Sequence, residues 1–424
     1  MATNSLRGMH DILPSQSAHW QQLERAVRDL MSGYGYGEIR TPILEKTALF
    51  ARGIGEATDI VEKEMYAFDD RNGESIAMRP ENTAGCVRAA IQHGMLGQGV
   101  QRVWYSGPMF RYERPQKGRY RQFHQIGAEV YGAAGAHIEA ELILMTARLW
   151  RALGIDEVVS LELNSLGTLE ERLAFRESLV AYFDEHKSVL DEDSLRRLTT
   201  NPLRILDSKN PDMQAMIEGA PQLHGFFGAE TTAHFETLQS TLNDAGLAFT
   251  LNPRLVRGLD YYSHTVFEWT TDRLGAQSAV CGGGRYDGLV TLLGGKAGPA
   301  VGWAIGMERL LELVKEVRGE AEGAAPHAYF VAIGELAERR ALSLAESLRE
   351  QVPGLRLWSN AVGGSFKAQF KRADKSGAAI ALVLGEQEVG DGVLAVKPLR
   401  GGGEQQVLTL EQTVARLNAL ISGD

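Results

Sequence analysis

The segment best suited to bind anions is the basic stretch 110–125, which reads FRYERPQKGRYRQFHQ. It carries five basic side chains and one acidic side chain, whereas the whole chain has a net charge of −10. Two apolar strands joined by a Pro-Gln-Lys-Gly turn predict a β-hairpin that would bring Arg111, Arg119 and Arg121 together around phosphate oxygens. Charge alone is explained equally well by a solvated basic loop. Aromatic residues alternate with the arginines and favour function, because a ring can stack on a base while arginines hold phosphates.

Three further segments place charged side chains beside apolar or small residues. They are LVRGLDYYSHTVFEW at 255–269, GWAIGMERLLE at 302–312 and MRPENT at 78–83. Each also has a purely structural interpretation. The first could be a hairpin with half-buried tyrosines. Arg309 in the second could be a surface residue, and Thr83 in the third could be only a helix cap.

Other motifs that often carry chemistry are missing from the sequence. The glycine run 282–284 lacks both the Lys-Ser/Thr pair of a P-loop and the GxGxxG spacing of a dinucleotide site, so close packing of strands explains it better. The histidines form no HExxH pair, and Cys86 and Cys281 lack metal-ligand spacing. We therefore expect no zinc, no disulfide framework and no organic cofactor.

Length and composition limit the elements that must position these residues. A chain of 424 residues with 44% hydrophobic and 23% charged side chains is typical of a folded soluble protein of two or three domains. No apolar run approaches the roughly 20 residues of a membrane helix, and no secretory signal opens the chain, so we expect no membrane association and a cytoplasmic location. The negative net charge means that a nucleic acid would bind a local basic patch rather than the whole surface.

A linker-like stretch, RGEAEGAAP at 318–326, predicts a boundary between a first domain, 1–325, and a second, 326–424. The first begins with an amphipathic helix that Gly33 ends, and its short strands predict a mixed or antiparallel sheet. Charged amphipathic helices from about 167 to 251 predict a helical insertion. Strands and helices alternate after 326, which predicts a small α/β domain with a mainly parallel sheet.

Three segments resemble, in their order along the chain, the three motifs of class II aminoacyl-tRNA synthetases: Pro42 after a helix and strand, FRYE with its basic loop, and GMERL. The chain is similar to the histidyl-tRNA synthetase family over essentially its whole length. The segments that carry this similarity are LRGMHDILP at 6–14, RPENT, the hairpin sequence through Gly132 and LVRGLDYY. The resemblance implies an α+β catalytic domain on a mixed, mainly antiparallel sheet with a helical insertion, followed by an α/β anticodon-binding domain. It also implies a homodimer through the first helix and strand.

The activity that the resemblance implies is the ATP-dependent ligation of L-histidine to its tRNA through a histidyl-adenylate, with release of pyrophosphate and AMP. Mg²⁺ would bridge the phosphates of ATP, and no protein ligand is assigned to it. Five residues would bind ATP: Arg111 the α-phosphate, Glu113 the adenine amino group, Arg119 the terminal phosphates, and Phe123 and Arg309 the two faces of the adenine.

The resemblance also assigns the histidine pocket and the contacts with tRNA. Arg257, with Arg111, would be catalytic by contacting the substrate carboxylate and the α-phosphate. Glu81, Thr83 and Gln125 would bind the amino group, Glu129 and Tyr262 would hold the imidazole, and Tyr261 would close the pocket. Gln116 and Arg121 would meet the acceptor end of tRNA. Asn82 departs from the glycine most frequent at its position.

Two alternatives stay open on the sequence alone. A non-catalytic, histidine-binding regulatory subunit of ATP phosphoribosyltransferase would share the fold, although such paralogues typically lose the LVRGLDYY arginine or motif residues and lack the last domain. A class II synthetase for another amino acid is the second alternative, against which Glu129, Tyr261 and Tyr262 argue.

Overall fold

The structure is a computed structural model that describes residues 3–55, 58, 60–206, 208, 210–255, 259, 261–275, 279–319 and 325–422. The chain divides into two compact units, Met1–Ala321 and Glu322–Asp424. Arg257 lies outside the described residues.

The first unit contains eleven strands and ten α-helices among its described residues. The strands are β1 (Gly37–Glu38), β2 (Leu44–Lys46), β3 (Tyr66–Asp69), β4 (Ser75–Met78), β5 (Gln101–Phe110), β6 (Gln122–Tyr131), β7 (Ser160–Ser165), β8 (Thr250–Leu251), β9 (Ser263–Thr270), β10 (Ala279–Arg285) and β11 (Ala300–Gly306). The helices are α1 (Pro14–Gly33), α2 (Thr47–Ile54), α3 (Thr83–Gln92), α4 (Ala136–Leu153), α5 (Leu169–Glu185), α6 (Glu192–Thr200), α7 (Gln214–Glu218), α8 (Ala229–Asp244), α9 (Asp287–Leu292) and α10 (Met307–Arg318). Short helical turns lie at Ile60–Glu64, Met95–Gly97, Asp156–Val158, Lys187–Val189, Pro202–Ile205, Pro211–Met213 and Leu223–Phe226.

The main sheet has eight strands in the order β1-β5-β6-β11-β10-β9-β7-β8. Only the two outer pairs, β1 with β5 and β7 with β8, are parallel. The prediction of a mixed, mainly antiparallel sheet is confirmed. A smaller antiparallel sheet, β2-β4-β3, carries the MRPENT segment at its end.

The alternation of side chains along β6 separates the core from the site. Ile126, Ala128 and Val130 pack into a hydrophobic cluster with residues of α1, α4, α8 and α10. Because successive side chains of a strand point to opposite faces, Gln125 and Glu129 face the other way. One face of the sheet is thus covered by α1, α4, α8 and α10, and the other, against which α3 and α9 pack, carries the polar residues that can meet a substrate.

The predicted helical insertion has two parts with different packing. Side chains of α5, α6 and α7 form a core of their own that includes Phe175, Leu179 and Phe183. Phe235 and Leu238 of α8 instead join the main core beside α4.

The second unit is a five-stranded sheet with helices. Its strands are β12 (Ala328–Ala332), β13 (Leu357–Ser359), β14 (Ile380–Leu384), β15 (Val393–Pro398) and β16 (Gln406–Thr409). Its helices are α11 (Glu335–Gln351), α12 (Phe366–Lys375), α13 (Glu386–Asp391) and α14 (Leu410–Ser422). The strand order is β13-β12-β14-β15-β16.

The prediction that this second sheet is mainly parallel is wrong. Strands β13, β12 and β14 are parallel, but β14, β15 and β16 pair antiparallel. A parallel connection needs a crossover of about a dozen residues or more, and the segment 385–392 is too short for one. Within the described residues, no helix of either unit is long and apolar enough to cross a membrane.

Candidate active site

The deepest polar group of the site is the carboxyl group of Glu129, which is 1% exposed. Thr83 Oγ1 donates a hydrogen bond of 2.8 Å to its Oε1, and the Tyr286 hydroxyl donates to its Oε2. Gly302 lies opposite it on β11, where any side chain would overlap with the carboxylate. The pKa of Glu129 is raised to about 8, because burial and, to a lesser extent, the charge of Glu81 raise it by more than the two hydrogen bonds lower it. The site therefore holds a carboxyl group that titrates near neutral pH.

We expect Glu129 to make the unfolding free energy fall as the pH rises from about 5 to about 8. Its pKa of about 8 in the folded chain exceeds its ordinary value of 4.5, so the folded chain keeps a proton that the unfolded chain has released. Each pH unit in this window then weakens folding by at most about 1.4 kcal/mol. Urea unfolding at several pH values should show this slope.

The matched variant for that measurement is Glu129→Gln, which keeps the size of the side chain and removes its titration. Because the two proteins share every other titratable group, the difference between their unfolding free energies at each pH reports the titration of Glu129. A difference that does not change with pH would contradict the raised pKa.

Glu81 and Thr83 lie where β4 leads into α3, and both are buried. The Glu81 carboxylate accepts hydrogen bonds from the backbone N–H groups of Thr83, at 2.6 Å, and Ala84, at 3.0 Å. Burial raises the pKa of Glu81, while these two bonds and the positive charge of Arg111 lower it. The first turn of α3 thereby fixes one carboxylate beside the Thr83–Glu129 pair.

Gln125 adds an acceptor to the same face of β6. It is 9% exposed, and its Oε1 is buried without a hydrogen-bond partner among the described residues. Because a buried carbonyl without a partner costs free energy, this atom is suited to receive an N–H group of a ligand.

Three aromatic rings form a wall beside these polar groups. Tyr261 and Tyr262 are buried, and their ring centroids are 4.8 Å apart. Tyr286, which sequence reasoning missed, lies 5.6 Å from Tyr261 and ties this wall to Glu129 through its hydroxyl. The sequence signal was weak, because Tyr286 follows the glycine-rich strand and belongs to no recognised motif.

Arg79 is a second residue without an assigned role in the sequence, although it opens the RPENT motif. It is 6% exposed and donates hydrogen bonds to the backbone carbonyls of Pro108 and Thr41. Its Nη1 and the Thr41 hydroxyl both donate to Asn82 Oδ1. Asn82 has a φ of −123°, so the backbone does not require glycine there. Its side-chain oxygen accepts two of the hydrogen bonds that hold the motif in place.

The predicted basic hairpin is present, because β5 and β6 pair antiparallel up to Phe110 opposite Gln122. Three of its four arginines converge on Glu113, which is 7% exposed. Arg119 forms an ion pair with the Glu113 carboxylate, Arg111 Nη1 lies 3.9 Å from it, and Arg121 donates to the Glu113 carbonyl. The solvated-loop interpretation is therefore wrong for these side chains.

Arg111 and Arg309 approach the site from different elements. Arg111 donates a 2.8 Å hydrogen bond to the Pro80 carbonyl and lies over the Phe123 ring at 5.2 Å. Arg309, on α10, donates a 2.6 Å bond to the Ala279 carbonyl. Burial lowers the pKa of Arg309, and the positive charge of Arg119 lowers it further. Several cations thus share a partly buried space beside an aromatic ring, which suits a polyphosphate attached to a base.

The turn of the hairpin carries the remaining predicted residues. Gln116 is exposed and pairs with Arg119 across a tight turn whose Gly118 has a φ of +72°. Arg121 lies over the ring of Tyr112 at 3.7 Å, and that ring is 54% exposed. The structure thus brings the predicted residues other than Arg257 onto β6, its hairpin and the elements around them.

The sequence matches a family model described as histidyl-tRNA synthetase over residues 8–310 and one described as anticodon binding domain over 327–420. The first match covers most of the chain and every site residue considered above. The chain belongs to the histidyl-tRNA synthetase family. A member of this family is an ATP-dependent ligase that attaches histidine to tRNA, which is the activity that the sequence resemblance implied.

Solved structures agree with this membership. The chain is 36% identical to a histidyl-tRNA synthetase from S. aureus, covering 98% of this chain and 100% of that one, with a TM-score of 0.83. It is 19% identical to a histidyl-tRNA synthetase from Nostoc, with coverages of 99% and 100% and a TM-score of 0.70. At that lower identity, the likeness shows the fold alone.

A protein from Bacillus halodurans described as an ATP phosphoribosyltransferase regulatory subunit/histidyl-tRNA synthetase is 20% identical, with coverages of 91% and 98% and a TM-score of 0.62. It too shows only the fold. The regulatory alternative is therefore less supported than ligation of histidine to tRNA.

Proposed function

We propose that the buried polar pocket on β6 binds histidine and that the basic hairpin binds ATP, so that a histidyl-adenylate forms between them. The observation that carries this proposal is the set of acceptors around one space: two buried carboxyl groups and the Gln125 carbonyl, which has no partner among the described residues. An ammonium group has three donors and requires such acceptors. Glu81, Thr83 and Gln125 would bind the amino group of histidine.

The imidazole of histidine would lie between Glu129 and Tyr262, with Tyr261 closing the pocket. The pKa of an imidazole is ordinarily near 6.5, and that of the Glu129 carboxyl group is about 8. Because the two values are close, a proton moves easily between the groups, which pair either as imidazolium with carboxylate or as neutral imidazole with carboxylic acid. A site that hydrogen-bonds both ring nitrogens rejects apolar side chains strongly, because an apolar ligand would remove the carboxyl group from water without replacing the hydrogen bond that the imidazole makes with it.

The ATP site would use the arginines around Glu113. Arg111 would bind the α-phosphate, Arg119 the terminal phosphates, and Phe123 and Arg309 the two faces of the adenine. Glu113 pairs with Arg119 in the structure, so ATP binding must separate the two side chains. The Glu113 carboxylate would then accept a hydrogen bond from the adenine amino group, and Arg119 would bind a phosphate. One charge-assisted contact replaces another, which limits the cost of opening the pair.

The chemistry is an in-line attack of the histidine carboxylate on the α-phosphorus. The carboxylate oxygen forms a bond to phosphorus, and the bond to the bridging oxygen breaks as pyrophosphate leaves. Arg111 would stabilise the charge that develops on the α-phosphate. We assign Arg257 the second catalytic contact, with the substrate carboxylate and the same phosphate, although it lies outside the described residues.

Mg²⁺ fits this site as an ion that arrives with the nucleotide. The described part of the chain contains no group of three or more His, Cys, Asp or Glu side chains that could hold a metal. Mg²⁺ commonly takes most of its ligands from phosphates and water and one or two from carboxylates. Bound to ATP, it would neutralise the phosphates.

The second step would transfer the histidyl group to the terminal adenosine of tRNA. Gln116 and Arg121, on the hairpin, would meet the acceptor end. We assign the anticodon-binding role to the second domain, 326–424, whose helix α12 exposes Lys371 and Lys375. Arg372 is less suited to this role, because it donates to Asn360 and to the Gly363 carbonyl within its own unit.

We further propose a homodimer through the first helix and strand, in the cytoplasm, with the catalytic domain at 1–325 and an insertion at about 167–251. Three apolar side chains on or beside β2 and β3 are also exposed, Ile43 at 41%, Leu44 at 46% and Phe68 at 48%, and would be covered where the contact extends to this sheet.

The experiment that tests the proposed function is exchange of labelled pyrophosphate into ATP with each common amino acid in turn and no tRNA present. Histidine alone should support exchange. Gln125→Leu should raise the KM for histidine about tenfold, because the ligand's N–H would lose its carbonyl acceptor, and should leave the KM for ATP unchanged. Histidine binding without exchange for any amino acid would contradict the adenylation step, and an unchanged KM in the variant would contradict the role of Gln125.

A further inference from the structure

The start of the helical insertion is bonded to the backbone of the tyrosine segment, residues 261–264. Arg172 Nη1, on α5, donates a 2.7 Å hydrogen bond to the carbonyl of Tyr262. The backbone N–H of Leu166 donates to the His264 carbonyl at 2.6 Å, and the His264 N–H donates to the Gly167 carbonyl at 2.9 Å. Three bonds thus join the two segments, and the one from Arg172 is charge-assisted.

The tyrosine segment has a backbone conformation that needs such support. His264 has a φ of +49° and is the only non-glycine residue with positive φ among the described residues. A side chain in this region costs free energy and persists only when its surroundings hold it there. The bonds with residues 166, 167 and 172 supply that constraint at the start of β9.

The first turn of α5, from which the Arg172 side chain extends, is itself held in place. Thr168 and Glu171 form a capping box at its first turn. The Glu171 carboxylate also accepts bonds from the Gly228 N–H, at 2.6 Å, and the Thr231 hydroxyl, at 2.9 Å, at the start of α8. Because α8 packs into the main core, Arg172 projects from a turn that is tied to the body of the catalytic unit.

The Tyr262 carbonyl is close to side chains to which we assign substrate binding. The ring of Tyr262 lies against Tyr261, and both lie near Tyr286, whose hydroxyl donates to Glu129. A shift of the Tyr262 backbone would therefore move the wall of the histidine pocket. The basic hairpin with Arg111 and Arg119 lies on other elements, β5 and β6, and would not move with it.

From these contacts we infer that the helical insertion sets the shape of the histidine pocket and that Arg172 is a positioning residue for histidine binding. This inference rests on the proposed function, because it takes Tyr262 as a contact of the imidazole. Arg172 acts through the backbone of Tyr262 and does not touch the substrate. The insertion thus has a role in amino-acid binding in addition to any contact with tRNA.

The test is the KM for histidine and the KM for ATP in pyrophosphate exchange by the full-length chain. Arg172→Ala should raise the KM for histidine about tenfold, since a charge-assisted hydrogen bond is lost, while the KM for ATP stays within a factor of about two. Arg172→Lys should recover most of the loss, because an ammonium group can donate to the same carbonyl.

Two arginines provide matched controls. Arg176 lies one turn further along α5 and is exposed, so Arg176→Ala tests the loss of a charge from the same helix. Arg318 Nη1 donates to the Leu153 carbonyl at 3.4 Å, so Arg318→Ala tests the loss of a bond from arginine to backbone elsewhere in the unit. Both should leave the KM for histidine unchanged.

Tyr262→Phe separates failure of this inference from failure of the proposed pocket. If Tyr262→Phe raises the KM for histidine and Arg172→Ala does not, the positioning role is overturned and the pocket stands. If neither variant changes the KM, the pocket assignment fails as well. Equal rises of both KM values in Arg172→Ala would show a merely structural role and overturn the inference. Should Arg172→Ala not fold, Arg172→Met, which keeps most of the side chain and removes its donors, decides by the same comparison.

Discussion

Arg111→Ala should lower the rate of pyrophosphate exchange by about a hundredfold to a thousandfold, the range found when one preorganised donor to a developing charge is removed. Arg111 is held by its 2.8 Å bond to the Pro80 carbonyl and by the ring of Phe123, so its guanidinium group loses little freedom when it meets a phosphate. Arg111→Lys should recover only a small part of the rate, because a lysine cannot keep the planar, forked contact.

The effect of Arg111→Ala should fall on kcat more than on either KM. Its charge also lowers the pKa of Glu81, so the KM for histidine should rise modestly, and more at acidic than at neutral pH, as Glu81 gains a proton more readily. Rates measured over a range of histidine and ATP concentrations at two pH values give kcat and both KM values and check both expectations.

Arg114→Ala is the matched control, since Arg114 belongs to the same hairpin and is exposed. It should exchange pyrophosphate at the rate of the unaltered protein. A loss in Arg114→Ala as large as that in Arg111→Ala would mean that the general charge of the hairpin matters, and Arg111 would lose its specific role.

The hairpin and the sheet could be predicted because their signals are local. The turn 115–118 lies between two apolar strands, and the helix from Pro14 to Gly33 has a proline at its start and a buried stripe that includes Leu23, Val27 and Met31. The antiparallel end of the second sheet was missed although the length of the segment 385–392 excludes a crossover. Strand β16 is short and follows a glycine run, so its hydrophobic pattern is weak.

The contacts that give the site its chemistry could not be predicted from spacing. Glu129 and Tyr286 are far apart in the chain, and so are Arg172 and Tyr262; their hydrogen bonds depend on how sheet and helices pack. The family resemblance supplied Glu129, because it belongs to a recognised motif. It did not supply Tyr286, Arg79 or Arg172, whose part is to hold other residues in place. Burial is what raises the pKa of Glu129, and burial is a property of the fold.

Deleting the chain after Arg318 should abolish most tRNA charging while leaving histidine-dependent pyrophosphate exchange largely intact. Each unit has a hydrophobic core of its own, with Phe330, Leu382 and Leu394 among the core residues of the second. The site residues all lie before residue 310, so the shortened chain keeps both proposed substrate pockets. Stacking on protein rings contributes about 1–3 kcal/mol per single-stranded base, so losing an anticodon contact of several bases should lower charging efficiency at least about a hundredfold.

A tRNA with an altered anticodon separates recognition from a general loss of structure. With the full-length chain, replacing anticodon bases should lower charging efficiency, whereas the shortened chain should charge both tRNAs equally poorly. In a double-mutant cycle, the two losses would then not add, because each removes the same contact. Additive losses would show that the anticodon is sensed before residue 318, and normal charging by the shortened chain would contradict an anticodon-binding role for the second unit. Measuring exchange on the same preparations is essential, since only intact adenylation assigns the lost charging to the tRNA step.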